Sequence, residues 1–322
     1  MDVFTRIVSP DENNVIECAD ILQEGGIIAF PTETVYGLGA VYSIESAVKN
    51  VFIAKGRPSD NPLIVHIYSL DQIAYLVSDI YEDAEVLMKH YFPGPLTLLF
   101  PKHPQVPSIV TAGQSTIAIR MPNNAIALEL IKKTGLPLVA PSANTSGRPS
   151  PTTAQHVFDD LSGKIEAIID GGPCEVGIES TVVGWINEKP TIFRPGIISK
   201  QEIEEILGKT VVYSQTEDKN APLSPGMKYR HYAPSIPIIL CNSIEETKTL
   251  LSKEKEKLFI LTDNEYLFSH SKHYVKSLDF HSLYANFRFA EVHDFHKIVI
   301  ALTSPASVNP ALYNRITKAV SH

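Results

Sequence analysis

Gly25-Gly-Ile-Ile-Ala-Phe-Pro-Thr-Glu-Thr-Val-Tyr-Gly-Leu-Gly39 joins an apolar run, residues 27–30, to a polar loop, residues 31–39, that opens on proline and closes on two glycines. The run reads as a buried strand, and Gly25-Gly26 in front of it is a stop signal for a helix over 14–23. The same alternation repeats outward. Apolar runs at 63–67, 96–100, 117–120, 138–140, 165–169 and 180–184 read as strands, and amphipathic stretches at 44–54, 81–90, 124–133 and 153–161 read as helices. This pattern predicts an α/β domain with a mixed sheet. A helix over 200–207 and a short strand over 211–213 complete it, and a polar stretch, 214–220, reads as linker. Beyond it, strands at 236–241, 258–261 and 298–302 alternate with helices at 244–251, 283–295 and 310–320, which predicts a small parallel, Rossmann-like α/β domain. The expected division is therefore 1–212, a linker over 213–234, and 235–322, consistent with a chain of 322 residues at about 150 per domain.

Composition narrows the function classes. With 44% hydrophobic and 20% charged residues the chain is that of an ordinary globular protein, and wholesale disorder is excluded. Residues 1–212 carry 15 basic and 25 acidic side chains, a net −10, so any anion site there is locally focused and a general nucleic-acid coat is disfavoured. Cys18, Cys174 and Cys241 form no C-x-x-C pair, which argues against a disulfide framework or zinc knuckle and suits a reducing cytoplasm. No apolar run reaches the roughly 18 residues of a membrane span, and the first residues lack a signal-peptide pattern.

Two nucleotide signatures fail. Gly37-Leu38-Gly39 lacks the third glycine of a dinucleotide fingerprint, and Gly208-Lys209-Thr210 follows Ile203 where a phosphate loop needs glycine. The pairs His270/His273 and His293/His296 lack a completing carboxylate or thiol set and read as surface side chains. What remains is a series of polar loops beside strands. Lys55-Gly-Arg57 leads through Asn61 into Leu63-Ile-Val-His66; Thr116 precedes the strand that ends in Arg120; Ala140-Pro-Ser142-Ala-Asn144 continues to Arg148 and Ser150; Ser180 and Arg194 close the set. A lysine point charge and planar arginine forks suit phosphate and carboxylate oxygens, so Lys55, Arg57, Arg120, Arg148 and Arg194 outline an anion pocket.

In these residues the chain resembles the threonylcarbamoyl-adenylate synthases, the YrdC-like family, in its long two-domain form. The motifs are Pro31-Thr-Glu-Thr-Val-Tyr-Gly-Leu-Gly39, Lys55-Gly-Arg57 with Asn61-Pro-Leu-Ile-Val-His66, Pro93-Gly-Pro-Leu-Thr97, Ile119-Arg-Met-Pro122, Pro141-Ser-Ala-Asn144, Glu179-Ser-Thr181, Arg194-Pro-Gly196 and Ser224-Pro-Gly-Met-Lys-Tyr-Arg-His-Tyr-Ala-Pro234. The resemblance implies a YrdC-like domain with a twisted mixed sheet and a concave anion-binding face. It implies an enzyme that joins L-threonine, bicarbonate or CO2, and ATP with Mg²⁺ into threonylcarbamoyl-AMP, releasing pyrophosphate, for a separate transferase acting on tRNA. By the same resemblance Thr34, His66, Arg120, Ala140 and Ser180 hold threonine. Lys55, Arg57, Asn61, Thr116, Ser142, Asn144, Ser150 and Arg194 hold ATP, and Lys55 and Arg57 are the catalytic cations. Lys228, Tyr229, Arg230, His231 and Tyr232 are read as a lid, because cations and rings in a row suit closure over anionic substrates. Two other readings stay open: an RNA-binding face, which would allow a weak RNA contact, and carbamoyl-adenylate chemistry with another acceptor, as in hydrogenase maturation proteins. The likeness departs at Ser304-Pro-Ala-Ser-Val-Asn309, where the family is usually richer in glycine.

Overall fold

The structure, a computed structural model, describes residues 3–214 and 232–320. These form two compact units, one of 3–146 with 150–214 and one of 147–149 with 232–320. The first threads β1 (Arg6–Val8), α1 (Glu12–Gln23), β2 (Ile28–Phe30), β3 (Gly37–Val41), α2 (Glu45–Lys55), β4 (Ile64–His66), α3 (Glu82–Tyr91), β5 (Leu96–Pro101) and α4 (Ser108–Thr111). It continues through β6 (Thr116–Arg120), α5 (Ala125–Thr134), β7 (Leu138–Val139), α6 (Ala154–Leu161), β8 (Ala167–Ile169), β9 (Thr181–Ile186), β10 (Lys189–Arg194), α7 (Lys200–Leu207) and β11 (Val212–Tyr213). One mixed sheet takes all eleven strands, in the order β1-β8-β2-β3-β7-β4-β6-β5-β9-β10-β11.

Helix boundaries follow local chemistry. Asp11 caps α1 by accepting the Asn14 amide at 3.0 Å, Asn124 caps α5 through the Ala127 amide at 3.1 Å, and Ser199 with Glu202 forms a capping box on α7. Gly56 ends α2 at φ +59°, the left-handed region glycine enters without strain, and so turns the chain sharply between Lys55 and Arg57.

The two faces of the sheet are covered differently. On one, Val65, Ile117, Ile119, Leu96, Leu98 and Val183 join a large core with α2, α3, α6 and α7. On the other, α1 and α5 cover Ile28, Phe30, Val41, Leu138, Ala167 and Ile169. The rest of that second face carries a small cluster of strand residues alone: Ile64, Leu99, Ala118, Val182 and Phe193. Side chains alternate along a strand, so His66 shares this face with Ile64, and Thr116 and Arg120 share it with Ala118. In β10, Ile192 faces the large core and Phe193 the small cluster, and a register irregularity between Ile192 and Arg194 sets Arg194 opposite Val182 of that small cluster.

One expectation is corrected here. Gly37 to Gly39, read as loop, lies inside β3, paired with β2 and β7. A Cβ on Gly39 would stand 2.8 Å from the Phe30 ring, so the glycine that looked like turn chemistry is a packing requirement of the sheet. Strands β1 and β10, and a strand at Tyr274–Ser277 in the second unit, are not among those expected from the sequence.

The second unit is a four-stranded parallel sheet, β12 (Ile238–Cys241), β13 (Phe259–Thr262), β14 (Tyr274–Ser277) and β15 (Ile298–Ala301), in the order β12-β15-β13-β14, with α8 (Ile244–Lys253), α9 (Leu283–Val292) and α10 (Pro310–Val320). Neighbouring β13 and β15 end in loops tied together by Asp263, whose carboxylate accepts the Thr303 amide at 3.0 Å and hydroxyl at 2.6 Å and the Ser307 hydroxyl. His273, read as a surface residue, is buried and accepts the Leu258 amide at 3.1 Å. The cysteines are free thiols, and no helix among the described residues is long and apolar enough to cross a membrane.

Gly39→Ala is expected to destabilise the first unit by about 1–3 kcal/mol through overpacking against Phe30, with part of the loss restored by adding Phe30→Leu. Urea unfolding checks it, and an unchanged midpoint in the single variant would contradict the packing account.

Candidate functional site

β4 and β6 run parallel in a register that makes His66 and Arg120 direct neighbours at the strand ends. Both are buried, at 2% and 4% exposure. The Arg120 Nη2 lies 2.8 Å from Glu33 Oε2, and Nε donates to the Gly94 carbonyl at 3.4 Å. Glu33 comes from the loop after β2, which holds its own shape: Thr32 Oγ1 donates to the Val35 carbonyl at 2.7 Å and accepts the Thr34 amide at 3.2 Å. The carbonyls of Glu33 and Thr34 receive the Val176 and Gly177 amides.

Burial, then the Arg120 charge, pushes the His66 imidazole down to about 3, so it is neutral at ordinary pH. The Ile64 carbonyl faces Nδ1 at 3.3 Å, which assigns the proton to that nitrogen and leaves Nε2 an acceptor. The edge of the Phe30 ring completes the packing, with centroids 6.4 Å apart.

Ser180 links this corner to the next. Its hydroxyl meets Thr97 Oγ1 at 2.7 Å, and Arg194 donates to its carbonyl and hydroxyl, each at 3.0 Å. Thr97 and Glu33 escaped sequence reasoning: a hydroxyl inside the apolar run 96–100 reads as core, and one carboxylate in a threonine loop reads as turn polarity.

Lys55 ends α2 with its ammonium turned inward, donating to the Ser142 carbonyl and, at 2.7 Å, to that of Asn144. Burial, followed by the Arg57 charge, holds its pKa well below the usual lysine range, while Asp160 and Glu179 oppose the shift. The cation expected to be a phosphate ligand pins the 142–144 loop. Arg57 Nη2 donates to the Pro62 carbonyl at 3.0 Å, shaping the turn into β4. Asn61 is buried, and its Oδ1 has no hydrogen-bond partner among the described residues. Ser150 donates to Glu179 at 2.5 Å. The Ala140 amide is used by the Ile64 carbonyl at 2.9 Å, and Ser142 bridges to Gly37. Thr116, half-buried, begins β6 about 13 Å of strand from Arg120, with Ala118 between them on the same face.

Two sequence assignments change. Arg148 belongs to the second unit, where it pairs with Glu291 at 2.9 Å while Arg288 donates to the Pro149 carbonyl at 2.6 Å. A carboxylate on α9 claims a guanidinium that spacing alone had grouped with the pocket cations. Tyr232, read as part of a lid, is buried in the second unit, stacked on Tyr284 at 5.5 Å with the Arg315 guanidinium over its ring. Lys228, Tyr229, Arg230 and His231 lie outside the described residues. Among those described, no three His, Cys, Asp or Glu side chains gather to hold a metal ion.

The Sua5/YciO/YrdC family model, described as telomere recombination, matches residues 20–196, and that of the threonylcarbamoyl-AMP synthase C-terminal domain matches 198–321. The threonylcarbamoyl-AMP synthase of Bacillus subtilis is 43% identical over 98% of this chain and 95% of its own, and that of Schizosaccharomyces pombe 40% identical over 91% and 85%. The crystal structure of Pyrococcus abyssi Sua5 complexed with L-threonine superposes with a TM-score of 0.88 at 39% identity, covering 99% of this chain and 98% of that one. With both family models matched and such identity along nearly the whole length, the chain belongs to the two-domain threonylcarbamoyl-AMP synthases, enzymes of nucleotidyltransferase type.

Proposed function

We propose that this enzyme joins L-threonine, bicarbonate or CO2, and ATP into threonylcarbamoyl-AMP with release of pyrophosphate, and that the product passes to a separate transferase acting on a tRNA adenosine in the cytoplasm. One observation carries the reading: a single sheet face holds a buried polar corner, His66 with Arg120, beside an apolar strip of strand residues that ends at Thr116. The crystal structure of the P. abyssi relative with L-threonine supports threonine as a substrate.

Arg120 would take the threonine carboxylate with its planar fork, and the neutral His66 Nε2 would accept the side-chain hydroxyl. Thr34, Ser180 and the Ala140 backbone would complete the amino-acid end. The bound ammonium gives up a proton to solvent, the neutral amine attacks the CO2 carbon and releases a second proton to become a carbamate, and a carbamate oxygen attacks the α-phosphorus, breaking the bond to the bridging oxygen as pyrophosphate departs. Carbamate and triphosphate are both anions, so fixed cations are needed to bring them together. Arg57 and Arg194 would supply that charge at the phosphates, with Asn61, Ser142, Asn144, Ser150 and Thr116 orienting the nucleotide. Lys55 would act through its remaining N–H and through the 142–144 loop it pins. Mg²⁺ would enter on the ATP phosphates as part of the substrate. Burial keeps water from the labile carbamate.

The direct test is pyrophosphate release by the purified protein. It is expected only when threonine, bicarbonate and ATP are all present; equal release with serine, or without bicarbonate, overturns the assignment. Arg57→Ala is expected to lower turnover about a hundredfold, the scale of removing one preorganised donor. Arg120→Lys should raise the threonine KM more than the ATP KM, since an ammonium cannot reproduce a bidentate fork. Steady-state kinetics with each substrate varied separates the two.

The neutral His66 also has a stability signature. Its folded pKa of about 3 lies below the ordinary 6.5, so between these values the unfolded chain binds a proton that the folded one refuses. Stability from this residue is therefore full above pH 6.5 and lost as pH falls toward 3. Between pH 7 and 4.5 the wild type should lose about 2 kcal/mol more than His66→Gln in urea unfolding. Parallel losses would mean that His66 is protonated in the folded state.

A further inference from the structure

Glu33 has no part in the proposed site, yet it is the carboxylate that meets Arg120. It is 4% exposed and lies 2.8 Å from Arg120. The contact is close but poorly aligned: neither Glu33 oxygen has a hydrogen-bond partner among the described residues, and neither has Arg120 Nη2. An ionised carboxylate accepts up to about four hydrogen bonds, and buried polar groups are almost always paired, so both members of this ion pair are short of partners of opposite kind. Glu33 lacks donors, and the Arg120 Nη2 lacks an acceptor.

A free amino acid carries both in one head group. Its ammonium offers three N–H donors and its carboxylate offers acceptor oxygens. We propose that Glu33 binds the α-ammonium of the amino-acid substrate, so that Glu33 and Arg120 together form a receptor matched to a zwitterion. The inference rests on the amino-acid reading of this corner.

The surroundings fit the role. Glu33 stands between Thr32 and Thr34 in a loop fixed by the Thr32 hydroxyl and anchored by the Val176 amide at 2.7 Å to the Glu33 carbonyl, so the carboxylate is presented from a rigid backbone. The nearby Cys174 thiol is pushed up to about 12 by burial and stays neutral, adding no charge of its own. Arg120 is the cation whose contact with Glu33 the structure shows. An entering ammonium shares that carboxylate while the substrate carboxylate shares the guanidinium, leaving two positive and two negative groups in alternation. A ligand with a carboxylate alone would instead bring a second anion beside Glu33, which gives the corner selectivity for amino acids over hydroxy acids.

The test compares L-threonine with 3-hydroxybutanoate, which keeps the carboxylate and hydroxyl and replaces the ammonium by hydrogen. Binding of each to wild type and to Glu33→Gln is measured by calorimetry with ATP present, and ATP affinity alone reports folding of the variant. Glutamine still offers Arg120 an oxygen but removes the negative charge. Wild type should strongly prefer threonine, and the variant should lose about tenfold or more in threonine affinity while binding the two ligands nearly alike. Unchanged threonine affinity in the variant overturns the proposal. So does equal weakening or loss of both ligands, which would make Glu33 a support for Arg120 only. Failure of wild type to bind threonine at all would instead sink the functional reading on which the proposal rests.

Discussion

The structure around the site depends on removing the Arg120 guanidinium from water at the end of β6. A buried charge is tolerated only when it is paired and hydrogen-bonded, and here the pairing comes from Glu33, with a weaker contact to the Gly94 carbonyl. Each consequence follows from that constraint. The loop bearing Glu33 has to be held rigid, so its hydroxyls bond its own backbone. His66, the register neighbour of Arg120, is kept neutral first by its own burial and then by that charge. The sheet has to close tightly beside them, which leaves no room for a Cβ on Gly39 next to Phe30, the ring whose edge meets His66.

The cations proposed for the phosphates are arranged on a different principle. Lys55, Arg57 and Arg194 all bond backbone carbonyls: of the 142–144 loop, of the turn into β4, and of Ser180. Each charge is oriented by a bond that also fixes a loop, so positioning and folding use the same contacts. This lets a domain with a net −10 hold a local positive field, because the cations are fixed rather than numerous.

Much of this was legible in the sequence. The central strands showed as apolar runs, and β4 and β6 carried their polar residues at the ends, where a strand meets solvent or substrate. Strand β3 was hidden because Gly37 and Gly39 carry the mark of a turn, and only the Phe30 ring explains them. Strand β14 was hidden because Tyr274–Ser277 is partly exposed and bears a lysine, so it lacks the apolar run of its neighbours. Arg148 was misplaced because chain proximity to Ser142 and Asn144 says nothing about Glu291, 143 residues away. Glu33 sits in the middle of the Pro31–Gly39 motif, yet its partner lies 87 positions on, and pairing across such a distance is fixed by the fold rather than by local pattern.

The central claim is that one sheet face carries the amino acid at Arg120 and the nucleotide across the apolar strip toward Thr116. A crystal structure of the enzyme with L-threonine and a non-hydrolysable ATP analogue tests it most directly. The account predicts the threonine carboxylate on the Arg120 guanidinium, its hydroxyl at His66 Nε2, and the triphosphate against Arg57 and Arg194. Threonine bound away from Arg120, or the analogue on the opposite, helix-covered face of the sheet, would contradict it.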